Sequence, residues 1–237
     1  MNIIFISGLT GVGKSTTLKA LNTLAHYVLL PNRRELTDHI IIPEILQDEG
    51  KENQIVKDRL ERFRITAEYR QKHSSGIVHA LQSYLTTLEN TQQNFIFDNI
   101  RGLEECQATV KHFPNARIIF LDAPVLTRLE RLIGRSDSFD HVKHHATDPS
   151  GLLEQLKNID GIDTVFHPLD VANLKTQGFD HIKLLDAVAI IVAEQKNYNA
   201  ERAAHYLKNV LGKKQLLYLD TQKLDIQHVA QHIEDWL

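Results

Sequence analysis

The chain has 237 residues, 42% of them hydrophobic and 24% charged, with a formal net charge of −3. That length suits one large α/β domain with insertions and is short for two independent ones. The apolar content excludes wholesale disorder, and the near-neutral balance gives no bulk pull toward nucleic acid or a membrane surface.

Asn2 to Ser7 opens the chain with the apolar run Ile3-Ile4-Phe5-Ile6, the pattern of a fully buried parallel strand. Gly8-Leu9-Thr10-Gly11-Val12-Gly13-Lys14-Ser15 follows and reads G-x-x-x-x-G-K-S without a mismatch. Leu18, Leu21 and Leu24 then fall at helical spacing. The motif therefore lies between a strand and a helix, where a phosphate-binding P-loop must lie. Its glycines let successive N–H groups turn toward phosphate oxygens, and the helix N-terminus adds its dipole. Gly8, Gly11, Val12, Gly13, Lys14, Ser15 and Thr16 are the candidate ATP-binding residues. Lys14 reaches the β- and γ-phosphates and Ser15 ligates Mg²⁺.

Tyr27 to Leu30, ending at Pro31, reads as a second strand. Asn32-Arg33-Arg34-Glu35-Leu36-Thr37-Asp38 comes next and is the best candidate for gripping a phosphate acceptor, because paired arginines bind phosphate in bidentate fashion. Glu35 or Asp38 could take a proton from an alcohol; an acceptor that is already a phosphate needs no base and would be held by Arg33, Arg34 and Arg101. Residues 37–92 are expected to form a helical insertion on the acceptor side, with Arg59, Arg62, Arg64 and Arg70 on a solvated, acid-rich helix and an amphipathic helix over Val78, Leu81, Leu85 and Leu88.

Asn94 to Ile100 is a further strand, with Asp98 near its end as the candidate Mg²⁺ ligand. Arg117 to Leu121 is another, followed by a helix carrying Leu126, Leu129, Leu132 and Ile133. Arg128, Arg131 and Arg135, spaced by three and four, are expected on one face of that helix, where they would stabilise a polyphosphate. Residues 136–180 have poor periodicity and several Pro and Gly, and read as a surface insertion or lid. Ala187 to Val192 is expected to be a buried strand, Ala203 to Leu211 a helix, Leu216 to Leu219 a final strand and Ile226 to Leu237 a final helix. The expected fold is one three-layer α/β/α domain over 1–237, with a mostly parallel sheet of five or six strands. Ligands in such sheets bind beyond the carboxyl ends of the strands.

Cys106 is the only cysteine, which excludes an internal disulfide. His141, His144 and His145 are close enough to suggest a metal, but the glutamates or cysteines that complete such sites are absent nearby and a polar lid is the simpler account. No leader-like or membrane-spanning run is visible, so the expectation is a soluble cytoplasmic protein.

The passage Ala116 to Pro124 followed by Arg128-Leu129-Glu130-Arg131-Leu132-Ile133-Gly134-Arg135 resembles the strand-to-lid passage of P-loop nucleotide and small-molecule kinases. Asp98-Asn99-Ile100-Arg101-Gly102-Leu103-Glu104-Glu105 resembles the D-G-x-R-x-x-x-E stretch of the adenylate kinase-like and dephospho-coenzyme A kinase-like branch, with Asn99 at the glycine. The resemblance implies a kinase core that uses ATP and Mg²⁺, with Lys14, Asp98, Arg128 and Arg135 in the catalytic roles, and it leaves the acceptor unidentified. The alternative is a P-loop ATPase or GTPase acting as a regulatory module; the GTPase form is disfavoured by Gln222-Lys223-Leu224-Asp225, where a guanine-reading motif has Asn or Thr first.

Overall fold

In the computed structural model, five parallel strands form one sheet in the order β2-β3-β1-β4-β5. The structure describes residues 2–24, 27–88, 93–135, 151–174 and 176–237. In chain order, β1 (Asn2–Ser7), α1 (Lys14–Leu24), β2 (Val28–Leu29), α2 (Arg33–Leu36), α3 (Ile42–Asp48), α4 (Arg59–Lys72) and α5 (Ile77–Leu85) lead to β3 (Asn94–Ile100). Then come α6 (Gly102–His112), β4 (Arg117–Asp122), α7 (Val125–Ile133), α8 (Leu152–Lys157), α9 (Pro168–Leu174), α10 (His181–Asn197), α11 (Ala200–Val210), β5 (Leu216–Asp220) and α12 (Ile226–Trp236).

The central strands β1, β3 and β4 are buried on both faces, which is why they read as unbroken apolar runs, whereas the edge strand β2 is exposed at Val28 and Leu29. Alternation assigns Ile3, Phe5, Phe95 and Phe97 to a core shared with α5, α6 and α11. Ile4, Ile6, Ile96, Ile119 and Leu121 pack on the opposite face with Leu21 of α1 and Val229 and Ile233 of α12. The result is helix, sheet, helix. Because β1 lies between β3 and β4, the loop after β1 and Asp98 on β3 emerge side by side.

The sixth expected strand is a helix. Ala187 to Val192 lies inside the 17-residue α10, whose start is capped by Asp180 accepting from the Lys183 N–H at 2.9 Å. A short apolar run does not distinguish a buried strand from a buried helix. Here it is apolar all round because α10 packs against α4, α7 and α8, with a third core that includes Leu129, Leu156, Phe166, Leu174, Leu184 and Ile191. Residues 151–180, read as an irregular surface insertion, contribute much of that core. Their apolar residues sit on short helices interrupted by Gly161 and Pro168, too short for a periodic signal. Residues 136–150 lie outside the described residues.

Asn32 to Asp38, the candidate acceptor segment, starts a helix. Asn32 Oδ1 accepts from the Arg34 and Glu35 N–H groups, and Glu35 reaches back to the Asn32 N–H at 2.7 Å, a capping box. The helix widens over Thr37–Ile41, where the Ile42 N–H donates five residues back to Thr37. Pro43, which has no N–H to give, follows at once, and a π-turn is one way for a helix to absorb that lost bond.

Cys106 is fully buried under β1, 3.7 Å from Ser7 Oγ, and burial pushes its thiol up to about 12. The thiolate is the reactive form. Ellman-type titration should find no reactive thiol in the native protein and one after denaturation; rapid native labelling would contradict the packing.

Candidate nucleotide-binding site

Gly8 and Gly11 shape the loop after β1. Gly8 has φ +141° and Gly11 +86°, and a Cβ would lie 2.6 Å from the Leu121 carbonyl in the first case and 2.7 Å from that of Arg128 in the second. Both positions therefore exclude a side chain by close backbone approach as well as by conformation. Lys14 folds back over the loop, donating to the carbonyls of Gly8 at 3.0 Å and Leu9 at 2.6 Å. Burial, with the Arg101 guanidinium nearby, presses its ammonium down to about 7 against the attraction of Asp98 and Glu194. A polyphosphate is the partner that would favour the charged form.

Asp98 lies beside the loop on β3. Its Oδ1 is buried and has no hydrogen-bond partner among the described residues. Burial raises its pKa, opposed by Lys14, Arg101 and Arg33. An orphaned buried carboxylate oxygen is uncommon, and a hydrated Mg²⁺ held with Ser15 Oγ would satisfy it, so the donor set fits that ion. Beyond it, Asn99 adopts φ +85°. Asn tolerates this left-handed region better than other residues with a Cβ, which is why it serves at the position of the pattern's glycine. Its Oδ1 accepts from Arg101 Nε at 2.8 Å.

The residue that ties these parts together is one the sequence reading missed. Glu194, on α10, has no exposed surface. It accepts from the Thr10 N–H and hydroxyl, both at 2.8 Å, from Arg128 Nη2 at 2.8 Å and from Arg101 Nη1 at 2.7 Å. Burial alone would raise its pKa; Arg101, Arg128 and Lys14 more than compensate and hold it at about 2. The available signal was an acid ending the apolar run Ala187 to Ala193, two helical turns after Asp186.

The arginine helix departs from expectation. Arg128 is buried, with Nε donating to the Thr10 carbonyl at 2.8 Å and Nη2 to Glu194. Arg131 bonds the carbonyls of Gly11 and Thr221 and the Thr221 hydroxyl. Arg128 holds the P-loop from its buried side, whereas Arg131 both holds the loop and lines the cleft. Arg135 does not share their face, because α7 ends at Ile133; it is exposed and lines the cleft.

That cleft has a volume of about 710 Å³ and is lined by Thr10, Gly11, Gly13, Lys14, Ser15 and Thr16, by Asp98, and at its far end by Leu18, Thr221, Leu224 and Val229. Gly8 and Val12 are not in its lining; Gly8 contributes its carbonyl to Lys14, and Val12 is a core residue whose carbonyl accepts from the Thr221 hydroxyl. A second, smaller cavity adjoins it and shares Arg33, Arg34, Arg59, Asn99 and Arg101 as lining.

Of the expected acceptor residues, Arg34 and Arg101 line both cavities. Arg33 also does, but its fork is spent: Nη1 donates to Glu105 and the Asn99 carbonyl, and Nη2 to Glu105 and the Tyr198 hydroxyl. Asp38 lines neither cavity and instead pairs with Arg62 at 2.5 Å. Arg59 and Arg62, expected on a solvated face, line the small cavity, and Arg59 also donates to the Thr10 hydroxyl. Arg64 does face solvent, among Glu49, Glu61 and Glu68.

His141, His144 and His145 lie outside the described residues, among which no group of three or more His, Cys, Asp and Glu could hold a metal ion. No helix among the described residues is long and apolar enough to cross a membrane.

The parallel sheet and the loop between β1 and α1 define a P-loop NTPase fold. The family described as AAA domain matches residues 4–145, more than half of the chain, and the protein belongs to that family. No curated protein matches the chain. Among solved structures, an unliganded sugar kinase from Janibacter sp. aligns over 99% of this chain and 92% of its own at 10% identity and a TM-score of 0.43. A presumptive kinase from Chloroflexus aurantiacus aligns over 100% of this chain and 98% of its own at 13% identity and a TM-score of 0.43.

Glu194→Leu should destabilise the fold by about 3–5 kcal/mol, because two guanidinium groups lose their buried partner. Glu194 has a depressed pKa, so its contribution is fully present above the usual value of 4.5 and is lost as pH falls toward about 2. The stability difference between wild type and Glu194→Gln, read by denaturant unfolding, should be constant from pH 5 to 7 and shrink below pH 4. A pH-independent difference would mean that the carboxylate is not the paired species.

Proposed function

We propose that the protein is an ATP-dependent phosphotransferase that moves the γ-phosphoryl group to a small-molecule acceptor, and that it works in the cytoplasm, where ATP is plentiful. The observation that carries this reading is the pair of adjoining cavities. One is lined by the P-loop and the orphaned carboxylate of Asp98; the other is lined largely by arginines. A switch or a simple ATPase has no need of the second.

In this reading the triphosphate lies along the loop from Gly11 to Thr16, with its base toward Leu18, Leu224 and Val229. Lys14 exchanges its contacts with the Gly8 and Leu9 carbonyls for β- and γ-phosphate oxygens. Mg²⁺, when bound by Ser15 and Asp98, neutralises charge between those phosphates. Arg135 is placed to meet the charge that builds on the γ-phosphoryl oxygens. An acceptor oxygen attacks the γ-phosphorus, the bond to the β–γ bridging oxygen breaks, and ADP leaves; a hydroxyl acceptor gives up its proton to the transferred phosphoryl group or to water as the new bond forms, whereas an ionised phosphate acceptor has none to give. Arg128, expected to act on the γ-phosphate, instead serves to hold Thr10, and Arg33 serves to hold the turn after β3. Arg34 and Arg101 remain the candidate acceptor-binding residues, and Asp38 is assigned to positioning Arg62.

An ATP-consumption screen over phosphorylated and unphosphorylated metabolites tests the reading: turnover should be slow alone and rise with one acceptor class. ATP hydrolysis unaffected by every acceptor would favour a regulatory ATPase instead. Lys14→Ala should lower kcat/KM by at least about 10³-fold, a loss typical of removing charge stabilisation at the reacting centre, with an unchanged melting temperature. Undiminished turnover in that variant would end the scheme.

A further inference from the structure

The smaller cavity constrains the acceptor. Its volume is about 110 Å³, against roughly 300 Å³ or more for a pocket that encloses a drug-sized ligand. It therefore takes one compact group rather than a whole nucleotide. Arginines make up half of its lining, and no carboxylate lines it among the described residues. The acids that balance these arginines stand outside the cavity: Glu105 backs Arg33, Glu194 backs Arg101 and Asp38 holds Arg62.

The aromatic residues of the lining do not offer a stacking surface. Tyr198 is 2% exposed, with the guanidinium carbons of Arg70, Arg33 and Arg101 at 4.8, 5.3 and 5.7 Å from its ring centroid. Phe63 is 8% exposed, with Arg59 at 5.9 Å. A nucleobase gains much of its affinity by stacking on an open aromatic face, and here arginines occupy those faces. What remains is a small cationic socket edged by Thr37 and Thr66, whose hydroxyls donate to the Arg33 and Phe63 carbonyls. That suits a tetrahedral dianion, which accepts several charge-assisted N–H bonds at once.

Building on the phosphotransferase reading, we propose that this cavity anchors the acceptor by a phosphate group and that the acceptor is a compact phosphomonoester without a nucleobase. The phosphorylated end sits among Arg34, Arg59, Arg62 and Arg101, and the rest of the molecule extends into the nucleotide cleft through the lining that the two cavities share.

The test is calorimetric titration of the full chain, first with a non-hydrolysable ATP analogue and Mg²⁺, then of the analogue-saturated protein with glycerol 3-phosphate, adenosine monophosphate, thymidine monophosphate and malate. Saturating the P-loop first keeps the phosphate probes from reporting on that loop. Glycerol 3-phosphate should bind at least about tenfold more tightly than malate, a gap of one decade in Kd, and no more weakly than either nucleotide. Arg62→Ala, at a residue that lines only the small cavity, should weaken glycerol 3-phosphate by at least about tenfold. Tighter binding of a nucleoside monophosphate, equal binding of malate, or an Arg62→Ala variant that binds as wild type does would each overturn the proposal. If that variant does not fold, the ligand series on wild type still decides. Failure of the ATP analogue to bind would overturn the phosphotransferase reading; analogue binding without phosphomonoester binding overturns this inference alone.

Discussion

The buried carboxylate of Glu194 is the constraint on which the site depends. A charge with no exposed surface is costly unless its lone pairs are filled. Here two guanidinium groups, one backbone N–H and one hydroxyl fill them. Two of those partners belong to Thr10, so the arrangement that makes the carboxylate tolerable also fixes the P-loop. The others, Arg101 and Arg128, come from the turn after β3 and from α7. One residue on α10 thus holds three separate segments, and each is held by a bond that would leave a buried charge unpaired if broken. A loop preorganised in this way spends less of its phosphate-binding energy on ordering itself.

The same logic continues toward the acceptor side. Arg33 and Glu105 form a two-pronged pair, Glu105 also accepts from the Arg101 N–H at 2.7 Å, and Arg101 leads back to Glu194. Tyr198, one residue past the end of α10, is packed among the arginines of this chain. Positive and negative groups alternate from α2 to α7, beneath both cavities. The position of α10 therefore bears on the P-loop through Glu194 and on the smaller cavity through Tyr198. A helix read from sequence as a strand is the element that joins the two halves of the site.

What the sequence made legible was what local pattern can carry. The P-loop needs a fixed spacing of Gly, Lys and Ser between a strand and a helix, and all of that is contiguous. The place of Asp98 beside the loop was legible because it lies near the end of an apolar strand. The residues that escaped are those whose meaning is set by distant partners. Glu194 meets Thr10 across 184 positions, and Tyr198 meets Arg33 across 165. Nothing near them in sequence announces either contact. The three-four spacing of Arg128, Arg131 and Arg135 carried only in part: the helix ends before Arg135, and spacing says nothing about whether a side chain looks at solvent, at ligand or at the back of a loop. Asn32 and Glu35, by contrast, were a capping box readable in principle, obscured by the attention that Arg33 and Arg34 draw.

The arginines also show why charge counted over a chain says little about a site. A net charge of −3 coexists with a cavity whose described lining is cationic, because acids outside that lining, such as Glu49, Glu61 and Glu68 around Arg64, enter the total. Within the cavity, identical side chains divide by how many donors they have left. A guanidinium has five N–H groups. Arg33 commits both terminal nitrogens twice over, four of its five N–H groups, and chiefly positions its neighbours. Arg101 gives Nε to Asn99 and one Nη1 hydrogen to Glu194, and so has more donors to offer a ligand than Arg33. Donor accounting of this kind, rather than proximity to a cavity, separates an arginine that builds a site from one that can use it.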